Sequence, residues 1–276
     1  MIYVQQAQGV KMKKHGILVV SVGTTCEDAE EKSITALERK VAHTYPDRQV
    51  FRGYTSQMVR QVLESRGRRV PSVSEALEEM EALGITHTAI LPTHVIYGEE
   101  YEKLVQLVET KRKQFAEVVI AKPLIAGRSD MMHVAHILRQ TYVKQPDMAL
   151  VMMGHGTYQA GNVVYETMEC VCRELGCEDM YLGTVRSYPG IDVILKKVTD
   201  ANIKKVILVP FMFVAGAHVR RDMIGEKPDS WRRRLEQHGL EVTAVLKGLG
   251  EYEEIQMLYC KHLQDVEKKM LTNEVN

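Results

Sequence analysis

The chain has 276 residues, with 36 lysines and arginines against 36 aspartates and glutamates, so its formal net charge is zero. No global field draws it to nucleic acid or a membrane surface, and no apolar run approaches the ~20 residues that span a bilayer. Its length suits one large domain or two of about 130 residues each, either able to bury a core.

In chain order, Met1 to Gly16 has no apolar signal segment. Met12, directly before Lys13-Lys14, reads as an alternative start, with Met1 to Lys11 as an extension. Gly16 to Val22 is an apolar, β-branched run ending in Gly23-Thr24-Thr25, a strand and a ligand-facing turn. Glu27 to Thr44 has helical spacing, with Ile34, Leu37 and Val41 on one face. Gln49 to Tyr54 reads as a strand, and Ser56 to Ser65 and Ser72 to Leu83 as helices; Ser72 with Glu75 has the spacing of a capping box. His87 to Leu91 is a strand closed by Pro92, Gly98 to Lys113 a helix with an acidic first turn, and Val118 to Pro123 a strand.

The pattern then begins again. Helices are predicted over Asp130 to Tyr142, Val163 to Leu175, Ile191 to Ala201, Ser230 to His238 and Gly250 to Lys269. Strands are predicted over Met148 to Met153, Met180 to Val185, Lys205 to Pro210 and Glu241 to Leu246. Strict alternation argues an α/β fold with parallel sheets and right-handed crossovers. The expectation is two similar lobes, each a parallel sheet flanked by helices, with a cleft between them. They would span residues 12–126 and 127–276, with the seam at Ala126-Gly127-Arg128-Ser129 and the last helix free to pack back on the N-terminal lobe.

The halves look like copies of one unit. Val22-Gly23-Thr24 matches His155-Gly156-Thr157. Ala89-Ile90-Leu91-Pro92, followed by Gly98-Glu99-Glu100, matches Ile207-Leu208-Val209-Pro210, followed by Gly216-Ala217-His218. Glu100 and His218 therefore take equivalent places, expected to face each other across the cleft with His155 on its wall. A lone histidine between Gly154 and Gly156 is as readily structural as functional. Two histidines and a carboxylate, each at a glycine-marked strand-to-helix turn, form a candidate site for a divalent transition metal with positions left open for substrate. A first-turn glutamate also stabilises its helix with or without a metal.

Five cysteines, with Cys170, Cys172 and Cys177 off C-x-x-C spacing, read as reduced thiols of a cytoplasmic protein, a metal site there being the minor alternative. No phosphate-binding G-x-x-x-x-G-K-[ST] loop, dinucleotide G-x-G-x-x-G or nucleophile elbow G-x-S-x-G is present, so ATP hydrolysis, a bound dinucleotide and serine hydrolysis are not indicated.

Val19-Val20-Ser21-Val22-Gly23-Thr24, Asp47-Arg48 with Phe51-Arg52, Met153-Gly154-His155-Gly156, Ser187-Tyr188-Pro189 and Val214-Ala215-Gly216-Ala217-His218 occur in the order of a known family. From about Lys13 to Val266 the chain resembles the anaerobic cobalt chelatases, the sirohydrochlorin cobaltochelatases of the class II chelatase group. The resemblance implies a lyase that inserts Co2+ into sirohydrochlorin, or a precorrin-2-type relative, during early-insertion cobalamin synthesis without ATP. It implies no tightly bound cofactor: the metal is a substrate. His155 and His218 carry over as metal ligands, His155 also as a candidate base, and Glu100 falls on an acidic cleft position with both roles.

The family often has glutamate in a Gly-x-Val-Glu-x-Tyr-Pro stretch; here it reads Gly183-Thr184-Val185-Arg186-Ser187-Tyr188-Pro189. Arginine cannot bind a cation, but it suits a substrate carboxylate. Ser21, Thr24, Thr25, Arg186 and Ser187 are the candidate substrate contacts. The expected partners are a tetrapyrrole and a divalent metal, with neither nucleic acid nor membrane, and homo-oligomerisation is left open. Insertion of Fe2+ or Ni2+, a non-enzymatic metal or tetrapyrrole carrier, and an anion-binding protein of two α/β lobes are the alternatives.

Overall fold

Strand β1 (His15–Ser21) is buried from Gly16 to its end, and its side chains serve two cores in alternation. Ile17 and Val19 pack with Ile34 and Leu37; Leu18 and Val20 pack with Leu77, Met80 and Leu104 on the other face. A strand buried on both faces belongs in a helix-covered parallel sheet, which is why it reads as one continuous apolar run. The structure, a computed structural model, describes residues 13–142, 147–158 and 160–273. The expected extension over Met1 to Lys11 lies outside them.

After β1 comes helix α1, residues 27–44, which contains a π-helical turn at Glu31–Thr35 that the sequence pattern does not reveal. Next are β2 (Gln49–Tyr54), α2 (Gln57–Ser65) and α3 (Val73–Ala82), the last started by the Ser72–Glu75 capping box. Then β3 (His87–Pro92), α4 (Glu99–Lys111) and β4 (Glu117–Ile120) complete a four-stranded parallel sheet of order β2-β1-β3-β4. β4 is shorter than expected: Pro123 has no N–H to give, and beyond Ala121 the chain instead bonds Leu124 and Ile125 to the carbonyls of His94 and Val95.

The second half runs α5 (Arg128–Tyr142), β5 (Met148–Gly154), α6 (Val163–Glu174), β6 (Met180–Thr184), α7 (Ile191–Asp200), β7 (Lys205–Phe211), α8 (Trp231–Gln237), β8 (Glu241–Ala244) and α9 (Glu253–Asn273). Its parallel sheet has order β6-β5-β7-β8, the first order shifted by four. Even the register repeats: Val20 pairs with Pro92 in one sheet, Met153 with Pro210 in the other.

One apolar core joins the two halves. Val19 and Leu91 of the first sheet and Leu150 and Met152 of the second belong to the same buried cluster. α9 lies against β3, β4 and α1, so the end of the chain is fastened to the first sheet. Each fully buried leucine or isoleucine contributes about 1.5–3 kcal/mol, so this shared core resists separation of the halves.

The turns leaving β1 and β5 are built alike. Gly23 has φ +90° and Gly156 φ +82°, the left-handed region that costs an L side chain about 1–2 kcal/mol. A Cβ on Gly23 would also run into the Tyr54 ring, whereas Gly67, at φ +78°, has nothing within 4 Å of its Cβ position. Gly67→Ala should therefore cost about 1–2 kcal/mol in urea denaturation. Gly23→Ala should cost about 1–3 kcal/mol more, from overpacking.

Candidate metal-insertion site

His155 and His218 come together because their strands are neighbours. β5 is hydrogen-bonded to β7 along its whole length, Gly154 opposite Phe211, so the loops leaving their carboxyl ends lie side by side. That edge of an open parallel sheet is where ligands bind. The two ring centroids are 4.9 Å apart, with the planes at 79°. Metal–nitrogen bonds of about 2.1 Å allow both rings to reach one ion from that separation.

Each ring is tied at one nitrogen. His155 Nδ1 is 3.0 Å from the Gly156 carbonyl, which accepts from it. His218 Nδ1 is 2.8 Å from Asp222 Oδ2. Arg221 Nη2 also stands 3.0 Å from His218 Nδ1, but a guanidinium only donates, and Arg221 already donates to both Asp222 oxygens at 2.6 and 2.8 Å. The carboxylate, which only accepts, therefore decides where the His218 proton sits. Among the described residues neither Nε2 has a hydrogen-bond partner. A carboxylate or carbonyl on Nδ1 with a free Nε2 is the arrangement by which proteins orient a metal-binding imidazole.

The charges suit that role. Burial lowers the His155 pKa below its ordinary 6.5; the neighbouring His218 and Arg186 push the same way, against the Gly156 carbonyl and Glu100. At neutral pH its lone pair is available. The Arg221 hydrogen bonds hold the Asp222 carboxyl below the usual range, with a smaller contribution from His218.

Glu100 sits in the first turn of α4, half-buried. Its carboxylate accepts from Thr55 Oγ1 at 3.3 Å and from Lys103 Nζ at 3.2 Å, and its charge is felt at His155. Among the described residues no three His, Cys, Asp or Glu side chains converge as a metal-binding group, so the ready-made ligands are the two imidazoles.

The other sequence candidates divide. Ser21 is buried; its hydroxyl accepts from Thr93 Oγ1 at 3.0 Å and from the Gly23 N–H at 3.3 Å. Thr24 is also buried and accepts from the Cys26 N–H at 3.1 Å. These two hydroxyls close their own turn rather than face a ligand, as Ser and Thr at turns commonly do. Thr25 is half-exposed, its carbonyl held by Arg66. Arg186 is exposed and its N–H donates to the His155 carbonyl at 3.1 Å. Ser187 donates to Asn162 Oδ1 at 2.6 Å.

Three residues that sequence reasoning passed over hold the surroundings of the imidazoles. Asn162 Oδ1 accepts from both the Thr157 N–H, at 3.1 Å, and Ser187. Tyr165 accepts from the Gly156 N–H at 3.2 Å. Asp222 fixes His218, and its i+4 spacing from that histidine was the one signal the sequence offered.

A family model described as cobalt chelatase (CbiK) matches residues 15–268. The sirohydrochlorin cobaltochelatase of Salmonella typhimurium is 34% identical over 255 residues, covering 91% of this chain and 95% of that one. The sirohydrochlorin cobaltochelatase CbiKC of Nitratidesulfovibrio vulgaris is 33% identical over 260 residues, covering 93% and 92%. SirB from Bacillus subtilis, solved with Fe3+, superposes with a TM-score of 0.63 at 14% identity over 91% of this chain and 95% of that one, a likeness of fold alone. The chain belongs to the cobalt chelatase (CbiK) family.

Nuclear magnetic resonance titration should give His155 a midpoint below 6.5. His218→Ala should raise it and Glu100→Gln should lower it further, each reversing the sign of the lost charge. Because the folded protein binds this proton less readily than the unfolded chain, stability should fall as pH drops below about 6.5 and level off below the lowered value.

Proposed function

We propose that this protein inserts Co2+ into sirohydrochlorin, or a precorrin-2-type relative, without ATP, as a step of anaerobic cobalamin synthesis. The single observation that carries the reading is the pair of imidazoles 4.9 Å apart, each with Nδ1 tied, in a member of the cobalt chelatase family. Its curated relatives bear the name sirohydrochlorin cobaltochelatase, which supports this substrate and metal.

Insertion must strip water from the ion and remove two pyrrole protons. Nε2 of His155 and His218 would take the ion and exchange its waters for nitrogen ligands, the donor type that suits cobalt. Burial of His155 keeps it neutral and favours the ligand role. Glu100, in electrostatic reach of His155, is assigned as the proton acceptor and as an additional metal contact once the ring is bound. His155 is the alternative base. The metal is substrate in this reading, and no bound cofactor is invoked.

We place the boundary between the lobes at residues 126–129, at the start of α5. No described helix is long and apolar enough to cross a membrane. With five free cysteines, the reading places the protein in the cytoplasm.

His155→Ala and His218→Ala should each abolish Co2+ insertion into sirohydrochlorin, followed by absorbance, while the far-ultraviolet circular dichroism stays unchanged. Asp222→Asn should weaken metal binding or insertion by about 10–100-fold, since it removes the carboxylate charge that holds both His218 and Arg221. Parallel assays with Fe2+ and Ni2+ establish the preferred metal. Wild-type insertion rates in either histidine variant, or binding of ring and metal without turnover in the native protein, would defeat the reading.

A further inference from the structure

Beside the imidazole pair lies a cavity of about 520 Å³ at the carboxyl edge of the second sheet. The loop after β6 and the turn that follows His218 form its wall. Arg221 and Asp222 line it, and Asp222 is the group that holds His218; Arg186 lines it too, and its N–H holds the His155 carbonyl. A molecule seated over the imidazoles can therefore extend directly into this space.

The lining is cationic where it is free. Arg186, Arg221, Lys227 and Arg234 face three aspartates. Arg221 is taken up by Asp222 and Arg234 by Asp192. Arg186 and Lys227 have no ion-pair partner among the described residues, so two positive charges are left for a ligand, with Asp229 the single carboxylate not already paired. The ten-residue helix α7 starts at the rim: its N-cap is Gly190, which has no side chain to accept from the first N–H groups, and Ile191 and Asp192 line the cavity. Unsatisfied N–H groups at a helix start favour an anion.

The cavity wall also contains a polar group with no explanation inside the protein. Ser230 is 1% exposed, and its hydroxyl has no hydrogen-bond partner. It stands at the N-cap of α8 yet makes no side-chain cap bond. Buried hydroxyls are rarely left unpaired, because the missing bond is costly. A ligand oxygen entering the cavity would supply it.

We infer that this cavity receives a carboxylate side arm of the tetrapyrrole, with Arg186 and Lys227 as its charge partners and Ser230 as a neutral donor. This rests on the chelatase reading above and extends it, since it assigns three residues to substrate positioning rather than to the metal. A carboxylate clamped here fixes the ring relative to His218 through the shared Arg221–Asp222 wall. The arginine at position 186, where the family often has glutamate, becomes an anchor for the ring rather than a misplaced metal ligand.

The test is fluorescence titration of the native protein, Arg186→Gln/Lys227→Gln and Ser230→Ala with metal-free sirohydrochlorin, alongside Co2+ binding in the absence of ring. The expected result is a Kd for the ring raised tenfold or more in the double variant, with Co2+ affinity within twofold of native. Fully esterified sirohydrochlorin should bind the native protein as weakly as the double variant binds the free acid. Ser230→Ala should raise the ring Kd severalfold while its Tm holds or rises, which a purely structural hydroxyl would not produce. An unchanged ring Kd in both variants, with native insertion activity intact, overturns the carboxylate subsite and leaves the chelatase reading standing. A native protein that neither binds the ring nor inserts metal overturns both. If inorganic phosphate raises the Tm of the native protein but not of the double variant, while both bind the ring equally, the cavity serves a free anion and the inference fails.

Discussion

The architecture depends on two close approaches between strand-end loops of opposite halves. Gly216, after β7, lies against Thr24, after β1; a Cβ there would stand 3.0 Å from the Thr24 hydroxyl. Gly98, after β3, lies against Thr157, after β5, with 3.8 Å between its Cβ position and the Thr157 Cβ. In the repeat, Gly98 corresponds to Gly216 and Thr157 to Thr24, so these are two copies of one contact. Arg220 and Asp28 add an ion pair across the first, at 2.9 Å. A mutual contact of this kind makes an approximate two-fold relation between the halves, and it turns the ligand-binding edges of both sheets toward the same region.

Within that near-symmetry the chemistry is one-sided. The place of His155 is taken in the first half by Val22, exposed, and the place of His218 by Glu100. Only the second half has both imidazoles, on loops from hydrogen-bonded neighbouring strands. The first half has a carboxylate, Glu100, and the exposed Val22 at these places instead. In the proposed reading the nitrogen pair would take the ion and the Glu100 side would accept protons. A strictly symmetric site would have lacked that division of labour.

The surroundings of the imidazoles explain why the two rings are well placed without a third group. Asp222 and the Gly156 carbonyl each restrain one ring nitrogen. Tyr165 and Asn162 in turn hold the Gly156–Thr157 backbone, and Asn162 joins it to Ser187. Each of these hydrogen bonds contributes only about 1 kcal/mol, but together they leave the rings little freedom to turn. The cavity beyond Arg221 and Asp222 shares this frame, so a ring held there and an ion held by the imidazoles would be placed by the same side chains.

Much of the fold was legible in the residues because its signals are local. Short apolar runs marked the central strands, the Ser72–Glu75 spacing marked the start of α3, and glycines marked the turns after β1 and β5. The repeat, and with it the choice of His155, His218 and Glu100, came from the same linear pattern. Tertiary structure decided what depends on which way side chains turn. Ser21 and Thr24 point into their own turn, a π-helical turn interrupts α1, and Asn162 and Tyr165 hold backbone across their loop. The two imidazoles meet at the carboxyl edge of one sheet because β5 and β7 are neighbours there, a pairing that the linear pattern does not state. Periodicity reports which residues are buried. Which polar groups face each other is set only when strands from separate parts of the chain pair and their loops are brought within hydrogen-bonding distance.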